Sequence, residues 1–185
     1  MKKKEIRDRV IDTLIVRSTL NGGLQRSYIY KGKVDGKRSK QFRNSLSKHL
    51  ISTMNSIMLK KNYSDNDHFE TIKRFSENIS LEYKDILLSR RLRIGTAQKL
   101  INLYWKMCWL LKANFIKPLH CPFDSVVIKN LGSSVKNIAW TKFDTIEEYR
   151  RLVEAAYKKD NSIADWELGF YINRINYDGA DVNAL

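Results

Sequence analysis

Lys99 and Asp124 are the pair in this sequence with the strongest case for covalent chemistry. Lys99 sits at the start of an apolar run, AQKLINLYWKMCWLL. Leu100, Ile101, Leu103, Tyr104, Met107, Cys108, Leu110 and Leu111 would cover most of the circumference of a helix beginning near Ala97, so that helix is central and buried. A lysine in a first turn opposes the helix dipole by about 0.3–1 kcal/mol. Burial and dipole together push its pKa down, toward the neutral amine that attacks a carbon electrophile. Asp124 follows Pro122-Phe123 and precedes a second helical stretch. That position suits an N-cap, and it also suits a carboxylate brought up to the start of the lysine's helix. Lys99, Asn102 and Lys106 follow an i, i+3, i+7 spacing, so they line one narrow polar stripe facing solvent or a cleft.

The residues before Lys99, LSRRLRIGTAQK, have the form helix, glycine turn, helix. Thr96 is placed to cap the second helix, which leaves the backbone N–H groups around Gly95, Thr96 and Ala97 to hold a phosphate. Such a turn grips a DNA backbone without reading bases. The arrangement resembles the helix-hairpin-helix DNA glycosylases, and within them the archaeal-type 8-oxoguanine glycosylase/AP lyase branch. The resemblance runs over residues 88–171. Gly95 stands four residues before Lys99, as the hairpin glycine does before the Schiff-base lysine of that family. Pro122-Phe123-Asp124 is similar to the turn that brings in its catalytic carboxylate, and QKLINLYWKM looks like its lysine helix. The stretch RRLVEAAYKKDNSIADWELGFY, with Asp165 close to aromatics, looks like its closing helices. Ala97 stands where the family has a second hairpin glycine, and Ser125 where a basic residue or Thr often follows the aspartate. The resemblance implies an all-α DNA N-glycosylase/AP lyase working without a cofactor on damaged or modified double-stranded DNA, in base excision repair or against foreign DNA. Lys99 would form the imine, and Asp124 would stabilise the oxocarbenium charge, as carboxylates do in glycoside hydrolysis. Extruding a base also calls for aromatic walls. Trp166 or Phe170 is the expected pocket residue; the other tryptophans fit a core better.

Charge gives independent support for a nucleic-acid partner. The chain carries 34 Lys and Arg against 20 Asp and Glu, a formal +14. Residues 1–61 hold 16 of the basic and 4 of the acidic residues, so nearly all the excess is in the first third. Lys31, Lys33, Lys37, Arg38, Lys40 and Arg43 form its densest part. Cations in this density neutralise phosphates and gain affinity by counterion release. An anionic membrane surface is the weaker competitor, since no strongly amphipathic basic helix stands out.

These residues must be positioned by helices. Eight glycines and two prolines in 185 residues argue against a turn-rich β fold. Helices are expected over residues 3–20, stopped by Asn21-Gly22-Gly23, then 42–61, 69–79, 81–92, 97–113, 125–131, 145–159 and 162–172. The weak apolar stripe of the first is Ile6, Val10, Leu14 and Val16. A short β-hairpin near residues 27–39 is suggested by alternation ending in Asp35-Gly36. Residues 179–185 read as a frayed tail. The organisation is a basic helical segment, 1–61, and a helical core, 62–185, together one compact domain. Two cysteines, Cys108 and Cys121, point to an intracellular, reducing, cytoplasmic setting. The lysine-interrupted run 100–116 is not a membrane span. Adjacent His120-Cys121 is not a zinc spacing, so no metal is expected, and His68 reads as an exposed loop residue. A second reading takes Arg43 and His49 as the Arg–His pair of HEPN-type metal-independent ribonucleases. A third is a DNA-binding module without catalysis.

Overall fold

The structure, a computed structural model, describes residues 3–177, with side chains described as far as Ile172. Seven helices make up its architecture: α1 (Lys3–Leu24), α2 (Gly36–Leu59), α3 (Asp65–Tyr83), α4 (Ile94–Leu111), α5 (Ser125–Leu131), α6 (Ile146–Tyr157) and α7 (Ile163–Tyr177). A single 3-10 turn, Leu88–Arg90, precedes α4. The fold is all-α. Among the described residues, none of the helices is long and apolar enough to cross a membrane.

Helix α4 is the hub, packed against α1, α2, α3 and α6. Twelve of its eighteen residues are buried, from Ile94 to Cys108, as its all-round apolar sequence requires. Trp105, Tyr149, Phe42, Phe75 and Phe123 are the largest fully buried side chains. Each contributes about 1.5–3 kcal/mol by leaving water. One apolar cluster runs without a break from Ile15 and Phe42 to Ile163.

The structure departs from the sequence reading at four points. Asn21-Gly22-Gly23 does not stop α1, which continues to Leu24. The two glycines are a contact surface: an added Cβ at Gly22 would lie 2.8 Å from Leu103 Cδ2, and one at Gly23 2.4 Å from Leu100 Cδ2. They let the α1 backbone approach α4 side on, closer than any larger residue allows. No hairpin forms at residues 27–39; the only pairing there is an isolated bridge between Tyr30 and Leu87. Asp35 and Gly36 serve α2 instead, with the Asp35 side chain accepting from Arg38 N as the N-cap. Residues 69–79 and 81–92 are not two helices. Helix α3 begins at the Ser64–Asp67 capping box and ends at Tyr83. The stripe of α1 also turns outward: Ile6, Val10 and Leu14 are exposed, and Ile15 and Leu20 face the core. Residues 179–185 lie outside the described ones.

Candidate active site

Lys99 lies in the second turn of α4, because that helix starts at Ile94 rather than Ala97. Its Nζ is 3.9 Å from Asp124 Oδ2 and 4.0 Å from the centre of the Trp140 ring. The lysine side chain keeps 12% of its exposure and the aspartate 34%. Asp124 therefore does two jobs. Its Oδ1 accepts from Val126 N and Val127 N, capping α5, and its Oδ2 faces the amine. The distance is too long for a hydrogen bond, so the ammonium is held between a carboxylate and an aromatic face. Burial pushes the Lys99 pKa below its ordinary value, and the positive charge of Arg26 pushes the same way; Asp124 opposes both. Burial is the largest cause. A partly dehydrated amine with a depressed pKa gives up its proton more readily than an ordinary lysine, and the neutral form is a nucleophile.

The helix start itself is not an open anion site. Arg93 is the N-cap, not Thr96. Asp144 Oδ1 accepts from Ile94 N at 3.1 Å, and the Phe143 carbonyl accepts from Gly95 N at 3.1 Å. The N–H groups of Thr96 and Ala97 both reach the Arg93 carbonyl. Gly95, Thr96 and Ala97 are buried, and their predicted phosphate contact is corrected accordingly: their N–H groups are already taken by the Phe143 and Arg93 carbonyls. Gly95 is present for another reason. A Cβ there would stand 2.0 Å from the Trp140 carbonyl oxygen.

The polar stripe of α4 faces inward. Lys106 pairs with Glu167 of α7 at 2.5 Å, and both side chains are about nine-tenths buried. The Glu167 pKa is raised, first by burial, while Lys106 counters it and the negative charge of Asp124 adds to the rise. Asn102 is fully buried and ties four groups together. Its Nδ2 donates to Gln98 Oε1, the Cys121 carbonyl and Tyr149 OH, and its Oδ1 meets His68 Nε2 at 2.7 Å. Tyr149 OH also bonds His120 Nδ1 at 2.7 Å, and His120 Nε2 reaches Asp65 Oδ1 at 3.1 Å. His68 is thus a fully buried member of α3, not a loop residue. Burial holds the His68 pKa at about 3. His120 is also lowered by burial, against the pull of Asp65. Sequence reasoning missed this network; the one local signal is that His68 falls one residue before Phe69 on the face of α3 that carries Ile72, Phe75 and Ile79.

The remaining predicted residues are dispersed. Lys31, Lys33, Lys37 and Lys40 are exposed. Arg38 is committed to the fold: it donates to both Asp85 carboxylate oxygens and to the Glu82 carbonyl, and lies 4.6 Å over Tyr83. Arg43 donates to Asn21 Oδ1 at 2.9 Å. His49 bonds Glu82 instead, so Arg43 and His49 point to different partners and do not form a pair. Trp166 and Phe170 stack edge to face at 4.7 Å on α7, and Asp165 pairs with Lys117. Cys108 and Cys121 are buried free thiols whose pKa values are raised by burial. Among the described residues, no three His, Cys, Asp or Glu side chains gather as a metal site. The chain matches no known protein family, no curated protein and no solved structure.

Proposed function

We propose that the protein acts on DNA through Lys99 as an amine nucleophile, in an N-glycosylase/AP lyase-type reaction. The observation that carries this reading is the Lys99–Asp124 pair: a mostly buried amine with a depressed pKa, 3.9 Å from a carboxylate. Neutral Lys99 attacks C1′ of the nucleoside, the C1′–N glycosidic bond breaks, and the base leaves with the bonding electrons and takes up a proton. Asp124 stabilises the positive charge that develops on the sugar. Loss of the amine's remaining protons and opening of the sugar ring leave an imine at C1′. Removal of a proton from C2′ then expels the 3′-phosphate and cuts the strand. The resemblance to the helix-hairpin-helix glycosylases supports the same two residues, although its phosphate-gripping turn is not open in this chain. The net charge of +14, concentrated in residues 1–61, supports a polyanionic substrate.

Borohydride trapping tests the reading. The protein is incubated with oligonucleotide duplexes carrying 8-oxoguanine, an abasic site or undamaged bases. A covalent protein–DNA adduct that forms with the wild type and is lost in Lys99→Gln is the expected result. Equal trapping in Lys99→Gln, or none on any duplex that the protein binds, would refute it.

A further inference from the structure

Two loops beside the start of α4 carry an unusual amount of left-handed backbone. Arg26, Tyr28, Ser89 and Arg90, none of them glycine, have φ of 63°, 44°, 57° and 61°. Each such residue costs about 1–3 kcal/mol and persists only where its surroundings enforce it. Here the surroundings are the loops themselves. Lys31 N donates to the Ile86 carbonyl and Leu88 N to the Ile29 carbonyl, both at 2.8 Å, on either side of the Tyr30–Leu87 bridge. This clasp sets the two strained turns side by side.

What the clasp presents is chemically specific. Tyr28 is 82% exposed, the most exposed aromatic ring among the described residues' large hydrophobics. Arg26, Lys31 and Arg90, on the same two clasped loops, are exposed, with no acidic partner among the described residues. One side of Tyr28 borders a groove of about 670 Å³ that Arg43 and Tyr30 also line, with Leu20 and Leu24 supplying apolar wall. Asn21, in the last turn of α1, and Gln25, just past its end, offer amides at its edge. That volume falls within the roughly 300–1,000 Å³ of small-molecule sites. The Asn21 carbonyl is already held by Arg43, which leaves its NH2 group to donate. On its other side Tyr28 borders a cleft shared with Arg91, Arg93 and Thr96. The charge of Arg26 also bears directly on Lys99, so this surface adjoins the candidate site.

We infer that the clasped loops 25–31 and 88–93 bind an unpaired stretch of DNA, with one base stacked on Tyr28 and seated in the groove toward Asn21, and the flanking phosphates on Arg26, Lys31 and Arg90. A ring presented to solvent beside unpaired cations and an amide-edged groove suits a single strand, where bases are free to stack. A paired duplex offers no base face to Tyr28. The inference rests on the DNA reading above and names the part of the substrate that this surface holds.

The test is equilibrium binding by fluorescence anisotropy in the Lys99→Gln background, which removes the proposed chemistry while leaving these loops intact. The probes are a labelled single strand, a duplex with a short unpaired bubble, and the fully paired duplex. The single strand and the bubble should bind more tightly than the paired duplex. Tyr28→Ala should weaken them about tenfold or more, the loss of one stacked base, and Tyr28→Trp should retain the affinity. The triple variant Arg26→Gln, Lys31→Gln, Arg90→Gln should lower the slope of log affinity against log salt by about 2, from roughly 0.7 per phosphate contact on a single strand. Unchanged affinity in Tyr28→Ala, or equal binding of all three probes, overturns the inference, and Lys99-dependent trapping would then leave the proposed chemistry standing. No binding to any probe by the wild type overturns both.

Discussion

Acidification gives a direct measure of the buried histidine network. In an unfolded chain a histidine takes up its proton near pH 6.5, whereas the folded state holds His68 neutral down to about pH 3 because it is fully buried. The groups that face it are Tyr63, Asn102, Trp105 and His120. Asn102 and the more distant Asp65 pull its pKa up and His120 pushes it down, but burial dominates. Between those two pH values the unfolded state binds a proton that the native state refuses, so stability falls as pH falls. From pH 6.5 to about 4.5 is two units, or about 3 kcal/mol. That magnitude requires only that the folded pKa lie below 4.5. His120, also lowered, adds in the same direction, and Asp65, depressed chiefly by its bond to His120, adds a further loss at lower pH. Against a typical total of about 5–15 kcal/mol this is a large fraction. Urea unfolding at a series of pH values, wild type against His68→Gln, isolates the His68 share. The glutamine keeps an N–H donor for Asn102 but cannot titrate. It should be less stable than the wild type at pH 7.5, and that deficit should shrink by about 3 kcal/mol by pH 4.5. Parallel stability curves for the two proteins would refute the reasoning.

Gly95→Ala should destabilise by about 3 kcal/mol, the upper end of the usual overpacking range, because the new methyl meets a backbone carbonyl at 2.0 Å rather than a yielding side chain; urea midpoints measure it. Asp124→Ser keeps the cap on α5 and removes the charge that raises the Lys99 pKa. The Lys99 pKa should therefore fall further, as read by NMR titration of the 13C-labelled lysine, and an unchanged or higher value would count against the pairing. Glu167→Ala should cost about 3–5 kcal/mol in unfolding experiments, since it leaves Lys106 buried without its partner. The double variant Lys106→Met, Glu167→Leu should recover most of that loss, because well-packed apolar residues replace a buried pair at little cost.

The parts of the architecture readable in the sequence are those governed by local periodicity and caps. The α5 boundaries at Ser125 and Leu131, with Asp124 as cap, follow from residue type alone. So does the central, buried character of α4. What resisted reading were residues with two competing uses. Gly22 and Gly23 satisfy the signature of a helix stop, yet here they allow a close helix crossing against Leu103 and Leu100. Asp35-Gly36 fits a hairpin turn and a helix cap equally well, and the basic, charge-rich segment after it favours helix. His68 and His120 lie 52 positions apart in sequence and meet at 4.9 Å only through tertiary packing. The hydrogen bonds that fill the start of α4 come from Phe143 and Asp144, some fifty residues downstream, beyond the reach of any local pattern.

That last dependence has a functional consequence. Residues 140–144 reach the start of α4 at several points. Phe143 and Asp144 accept its first N–H groups, the Thr141 carbonyl accepts from Arg93, the Trp140 carbonyl presses on Gly95, and the Trp140 ring covers Lys99. One strap thus caps the helix and dehydrates the amine, and the two effects cannot be tuned separately. Trp140→Leu should expose this coupling. Removing the ring forfeits a cation–π attraction of about 0.5–1 kcal/mol, which by itself would lower the Lys99 pKa by less than one unit. It also admits water to an ammonium whose pKa is depressed chiefly by burial. The second effect is the larger, so the Lys99 pKa should rise toward its ordinary value, and the pH dependence of borohydride trapping should move to higher pH. A shift to lower pH would mean that the ring acts mainly as a cation partner, and the account of how this amine becomes reactive would have to rest on Arg26 rather than on burial.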